Sequence, residues 1–209
     1  MARPSNRYQK ILIESARLFR ESGYLGTSIR DIGDALGITS AALYYHFKNK
    51  DELLQAIMFV ALNELETAVR EALIGETDAL ERVRIATRVH LSISVEYQDF
   101  AIVLLQEARH LKPDGLEQFI AERDAYERIW ADLFAEVGRA NLYKSDVELN
   151  LLRLLMFGMI NLVVTWYKPT GLFTPTQIAD AIFKYTTTGI IDDDALADWL
   201  ASPASLTQN

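Results

Sequence analysis

The sequence predicts an all-α fold: an N-terminal three-helix unit with a helix-turn-helix over residues 1–50, then a larger helical domain over 51–209. Three observations predict it. Apolar residues recur at helical spacing from end to end, glycines stand where helices would stop, and no segment alternates with the two-residue period of a strand. The first helix runs from about Asn6 to Glu21, with Ile11, Leu12, Ala16 and Phe19 on one face, and ends near Gly23. Thr27 or Ser28 caps a short second helix that turns Ile29, Ile32 and Leu36 inward and stops at Gly37. Two residues on, Thr39 or Ser40 starts a third, very short helix ending near Phe47. Two helices joined by a tight glycine turn make a helix-turn-helix. Asn49 with Glu52 reads as a capping box for a long fourth helix, Lys50 to Leu73, whose first-turn acids suit the helix dipole. Further helices are expected at about 78–97, 99–111, 114–139, 146–167 and 175–188. Thr174, Pro175 and Gln177 open the last of these, and Gly189 stops it. Beyond lie a further amphipathic turn or two around Leu196 and Trp199 and an unstructured tail, "SPASLTQN".

Half of the 209 residues are apolar and none is cysteine, which excludes disulfides, thiolate nucleophiles and cysteine-bound metal centres. The N-terminus "MARPSNRYQK" is polar and basic with no apolar stretch after it, so it does not read as a signal peptide, and a cytoplasmic location is expected. The net charge of -8 argues against a polyanionic partner only while it is taken as one number. Residues 1–50 carry a balance of +4, and residues 51–209 carry -12. A basic head on an acidic body both permits DNA binding and orients it.

In a helix-turn-helix the second helix enters the major groove by its N-terminal residues, which must be small or hydrogen-bonding. "TSAALYYHF" obeys this. Leu43 and Phe47 can turn inward, leaving Ser40, Ala41, Ala42, Tyr44, Tyr45 and His46 outside or at the edge. Ser40 can bond a base edge or a phosphate, an alanine can touch a thymine methyl, and the tyrosine hydroxyls can reach phosphates. Lys50 adds charge at a helix N-terminus already disposed to an anion. The competing reading packs the tyrosines and His46 into the core; six outward candidates in so short a stretch favour DNA.

The segment "LFRESGYLGTSIRDIGDALGITSAALYYHFKNKDELLQAI", closed by "LYYHFKNKDEL", resembles the DNA-binding domain of TetR-family transcriptional regulators throughout its length. The resemblance implies a homodimer on a near-palindromic double-stranded DNA operator, usually as a repressor. It further implies phosphate contacts from Ser28 and its neighbours Thr27 and Arg30, and from Tyr45, His46 and Lys50. Thr39, Ser40, Ala41, Ala42 and Tyr44 stand at or beside base-facing positions. Two alanines among them leave more of the specificity to flanking contacts or DNA shape.

From Leu149 to Tyr167 the chain is apolar around nearly its whole circumference, so that helix must be buried on more than one side. Asn150, Arg153 and Asn161 interrupt it, which argues against a membrane span. With the next helix, striped by Ile178, Ala181, Ile182 and Tyr185, it makes an antiparallel pair. Two such pairs give a four-helix dimer interface, where TetR-type proteins dimerise. Tyr126, Trp130, Leu133 and Val137 share a face, expected opposite Tyr97, Phe100, Leu104 and Leu105. With Met156, Phe157 and Met159 these could line an adaptable cavity. Arg109, Arg153 and Asn161 are the informative polar residues on mostly buried helices, with His90, Gln106 and Glu107 behind them.

"QEARHL" and "NLVVTWYKPTGLFTPTQIADAI" are similar to a subgroup of the family that controls fatty-acid or sterol catabolism and releases DNA on binding an acyl-CoA thioester. Thr165 stands where its members often carry arginine. That resemblance implies a small-molecule effector, an acyl-CoA, with its chain in the apolar cavity and Arg109 or Arg153 at its polar end. A fourth-helix displacement would then move both recognition helices off their spacing of roughly 34 Å. No cofactor is expected. Two alternatives stay open: control by a protein partner or by no inducer, and a helical metal enzyme built on Glu107 and His110. The second lacks the repeat Glu-x-x-His that a di-iron centre requires.

Overall fold

The structure, a computed structural model, describes residues 6–140, 142, 148–187, 197 and 201. The start of the expected helix at 146, the stop at Gly189 and the tail around Leu196 and Trp199 lie outside the described residues.

Within them the chain is helical: α1 (Asn6–Gly26), α2 (Ile29–Leu36), α3 (Ser40–Tyr44), α4 (Lys50–Ala72), α5 (Ala79–Glu96), α6 (Gln98–Gln106), α7 (Pro113–Arg139), α8 (Leu149–Trp166) and α9 (Pro175–Thr187), with a 3-10 turn at Ala108–His110. The ends follow local chemistry. α1 is interrupted at Gly23, whose φ of 73° few side chains tolerate, and Leu25 in the following turn is 74% exposed. Ser28, not Thr27, caps α2 and forms a reciprocal box with Asp31, and Gly37 ends it in the left-handed conformation. Thr39 caps α3, which stops at Tyr44, three residues before the expected Phe47. There the amides of His46 and Phe47 both turn back to the Leu43 carbonyl. Asn49 caps the Glu52 amide as expected, but Glu52 bonds the Lys48 amide rather than closing the box on Asn49. Thr174 and Gln177 do close theirs at α9.

Packing divides the chain into two compact units. The first holds the residues up to Glu64 together with Glu96–Asp124, so it is larger than the reading segment 1–50. Its core joins Ile11, Leu12, Phe19, Ile32, Leu43 and Phe47 to Leu54, Ile57, Met58 and Val103. Arg20 pairs with Asp99, and Asp51 accepts from the Lys112 amide. The second unit holds Leu65–Val95 and the chain from Ala125 on. Its core gathers Val69, Leu80, Leu91, Trp130, Leu133, Met156, Ile160 and Phe183. On its charged side Asp180 of α9 accepts from both Nε and Nη2 of Arg88, beside the buried pair Arg84 and Glu81. Both α4 and α7 take part in both units.

Leu152, Met156, Ile160, Val163 and Val164 turn one side of α8 into the second core, while Leu151, Leu154, Leu155, Leu162 and Trp166 stand exposed on the other. By length and composition alone, α8 is long and apolar enough to cross a membrane. On α9 the core face is Ile178, Ala179 and Phe183; Ala181 and Ile182 are half-buried and Tyr185 is exposed.

Candidate functional site

Two cap bonds set the exposed face of the first unit. Ser28 Oγ accepts the Asp31 amide at 3.1 Å while the Asp31 carboxylate accepts the Ser28 amide at 2.7 Å, which holds Asp31 below the usual carboxylate pKa. Thr39 Oγ1 accepts the Ala42 amide, so Thr39 serves as the cap and Ser40 opens the helix. With Leu43 and Phe47 buried, α3 exposes Ala41, Tyr44 and Tyr45, the last 86% exposed, and leaves Ser40, Ala42 and His46 at the edge. Tyr8 of α1 stacks on Phe47 at 5.1 Å and meets His46 edge-on at 6.2 Å, fixing the end of α3. Arg30 is exposed, 3.6 Å from Asp34. An exposed surface of hydroxyls, methyls and phenols beside a capped helix end suits base edges and phosphates. Arg7 and Lys10, cations that the sequence reading passed over, flank a cleft of about 370 Å³ floored by Ile11, Leu36 and Ile38. Their only sequence signal is the basic balance of the head.

Two residues named for DNA turn inward. Thr27 is buried, its hydroxyl donating to the carbonyls of Leu18 and Gly23. Lys50, expected to meet an anion, donates to the carbonyls of Tyr24 at 2.7 Å and Thr27 at 2.9 Å and lies over the Tyr24 ring at 4.1 Å. The reason is the break at Gly23, which frees carbonyls just before α2 for which an ammonium is a strong donor. Lys50→Met is therefore expected to weaken operator binding about tenfold by loosening the start of α2, with the slope of log affinity against log salt unchanged. Loss of a phosphate contact would instead reduce that slope by about 1. Binding isotherms across a salt series separate the two.

The candidate effector residues divide between the units. Tyr97, Phe100, Leu104 and Arg109 lie in the first, and Tyr126, Trp130, Arg153, Met156, Phe157 and Asn161 in the second. Arg109 is exposed, its Nε 3.3 Å from His110 Nε2. Arg153 is neutralised by Glu127 at 3.1 Å and also donates to Asn150. Thr165 is spent on the Leu162 carbonyl. The second unit gathers its aromatic candidates around His90, which the sequence ranked behind the arginines. Tyr126, Trp130 and Phe157 ring it with centroids at 5.7 Å each. Its Nδ1 is 2.7 Å from Tyr126 Oη and its Nε2 is 3.2 Å from Asn161 Oδ1.

Burial holds the His90 pKa down at about 4, so the ring is neutral near pH 7. The unfolded chain takes up this proton near pH 6.5 and the folded chain only near 4, so stability is full at neutral pH and falls as pH drops through that window. The loss attributable to His90 is about 3 kcal/mol. His90→Gln, which keeps a donor and an acceptor but does not titrate, is expected to flatten that acid limb in urea unfolding at pH 7 and pH 4.5.

Glu107 and His110 face each other, Oε2 to Nε2 3.4 Å. Among the described residues no group of three or more histidine, aspartate or glutamate side chains is placed to hold a metal.

Two family models match the chain: "Bacterial regulatory proteins, tetR family" over residues 11–57, and "Tetracyclin repressor-like, C-terminal domain" over 76–190. The chain is similar to the HTH-type transcriptional repressor KstR2 of Mycolicibacterium smegmatis, 26% identical over 90% of this chain and 93% of that protein. Among solved structures it is similar to the regulator PfmR from Thermus thermophilus, with a TM-score of 0.79 and 31% identity over 86% of this chain and 97% of that one. AibR, solved in complex with isovaleryl coenzyme A and operator DNA, gives a TM-score of 0.78 and 29% identity over the same shares, 86% and 97%.

Proposed function

The chain belongs to the TetR family of bacterial regulators, and on that premise we propose that it is a homodimeric repressor released from its operator by an acyl-CoA thioester. In this reading residues 1–50 read DNA and residues 51–209 dimerise and take the effector. The arrangement of α3 carries it: core residues hold Leu43 and Phe47, and the remaining face is exposed and rich in hydrogen-bonding groups. Ser28, Arg30, Ser40, Ala41, Ala42, Tyr44, Tyr45 and His46 are the residues assigned to the interface.

The one-sided face of α8 supports the dimer. A helix buried along one side by its own chain and lined with leucine along the other needs a second apolar surface, and a twofold axis supplies an identical one. Arg153, ion-paired with Glu127 of α7, suits that arrangement better than a bilayer. The effector class is supported by likeness to AibR, a protein solved with both a coenzyme A thioester and operator DNA. Release requires the effector to bind better to a geometry in which the two heads are wrongly spaced. α4, one helix from Lys50 to Ala72, is the element that would carry the displacement.

Titrating the protein onto labelled DNA from upstream of its own gene, with acyl-CoA thioesters of increasing chain length, tests the proposal. The expected result is binding with dimer stoichiometry and release by some thioesters but not by free CoA. Tight binding indifferent to every thioester would overturn the effector class, and no binding to that DNA would remove it as an operator.

A further inference from the structure

The polar groups around His90 form a directed relay that ends in unused donors. α5 supplies His90, α7 supplies Tyr126 and Trp130, and α8 supplies Phe157 and Asn161. The Tyr126 hydroxyl, kept un-ionised by burial, donates to His90 Nδ1. The single proton of the neutral ring then sits on Nε2 and is donated to Asn161 Oδ1. This fixes the Asn161 amide in one orientation, with its Nδ2 hydrogens turned away from the relay and without an acceptor among the described residues. A second donor is idle beside it. Trp130 is fully buried, and its Nε1–H lies close enough to the Tyr126 hydroxyl to lower its pKa yet outside hydrogen-bonding geometry.

Of these donors only Trp130 Nε1 is buried without a hydrogen-bond partner, which is costly, while Asn161 is half-buried, so that an outside oxygen can reach its amide. A surplus of donors on an aromatic wall is complementary to an oxygen that only accepts. We propose that Asn161 Nδ2, oriented by His90 and Tyr126, binds the carbonyl oxygen of an apolar effector, with Trp130 and Phe157 packing beside it. This assignment rests on the small-molecule reading above and locates its polar contact at an amide rather than at an arginine. Arg153 has its charge answered by Glu127, whereas the Asn161 amide is unanswered and partly accessible. His90 and Tyr126 are positioning residues; Asn161 is the binding residue.

Calorimetric titration of the full chain with decanoyl-CoA and with S-decyl-CoA, the thioether that lacks only the carbonyl oxygen, tests it without DNA. The wild type is expected to prefer the thioester by about tenfold. Asn161→Leu is expected to bind both equally, at the affinity of the thioether; Asn161→Ala replaces it should the leucine variant fail to fold. Equal binding of both ligands by the wild type overturns the carbonyl contact while leaving the effector class standing. Preference for the thioester retained in the variant overturns Asn161 as its reader. Binding of neither ligand overturns the assignment for a ten-carbon chain and leaves the thioester class to the chain-length series above.

Discussion

Glutamate at both Leu155 and Leu162 is expected to turn the protein monomeric and weaken operator binding by about 10²–10⁴-fold, the range lost when two linked binding events become independent. The two leucines are 57% and 60% exposed and lie on the side of α8 away from the core residues Met156 and Ile160. The fold itself should hardly notice: an exposed substitution away from packing costs within about 0.5 kcal/mol. The proposed twofold interface would notice, because it would bury each new carboxylate against an apolar partner surface with no counter-charge. Light scattering gives the mass, thermal unfolding gives the integrity of the chain, and operator titration gives the affinity. A variant that melts normally yet stays dimeric would place the interface elsewhere than α8.

Gly33→Ala is expected to weaken operator binding by about 5–150-fold, the equivalent of about 1–3 kcal/mol, while leaving the proposed dimer intact. Gly33 lies within α2 where the turn doubles back, and a Cβ there would sit 2.8 Å from the Ile38 carbonyl oxygen. That oxygen is backbone and has no rotamer to escape into. The same crossing is tied by the Ile38 amide donating to the Gly33 carbonyl at 2.9 Å, so relief of the clash must separate α2 from the start of α3. Overpacking of this kind costs about 1–3 kcal/mol, and here the cost falls on the geometry that reads DNA. Gly37 provides the control. Its φ is 65° with nothing within 4 Å of a Cβ, so Gly37→Asn, which tolerates the left-handed region, should retain most of the binding. Normal operator affinity in Gly33→Ala would show that the two helices of the head have more slack than their contact implies.

Much of the head was legible because its determinants are local. Ser28, Thr39 and Asn49 lie within three residues of the amides they cap, as does Thr174 in the second unit, although Thr27 and Ser40 were equal candidates at the first two starts, and Gly23 and Gly37 mark stops. Burial of Leu43 and Phe47 matches their four-residue spacing, although Phe47 lies past the end of α3 and is held by Tyr8. Legibility failed where partners are distant in sequence. His90 meets residues 36 and 71 positions away, and nothing local to it forecasts either, so the arginines looked more informative than the histidine. Lys50 illustrates the same limit: position at a helix N-terminus suggests an anion, but the carbonyls that take its ammonium belong to a turn more than twenty residues earlier. The shortening of α3 is finer still, since Tyr45 and His46 have no aversion to helix; the loss is set by burial of Phe47 against Tyr8.

The break at Gly23 has a practical corollary. It leaves Leu25 exposed on the head of a chain that contains no cysteine. Leu25→Cys would therefore accept one nitroxide label per protomer with no background from native thiols. In the proposed dimer, dipolar spectroscopy would then read the separation of the two heads as a distance distribution, with the proposed thioester effector added or withheld. The release step becomes a length, measured in the absence of any operator.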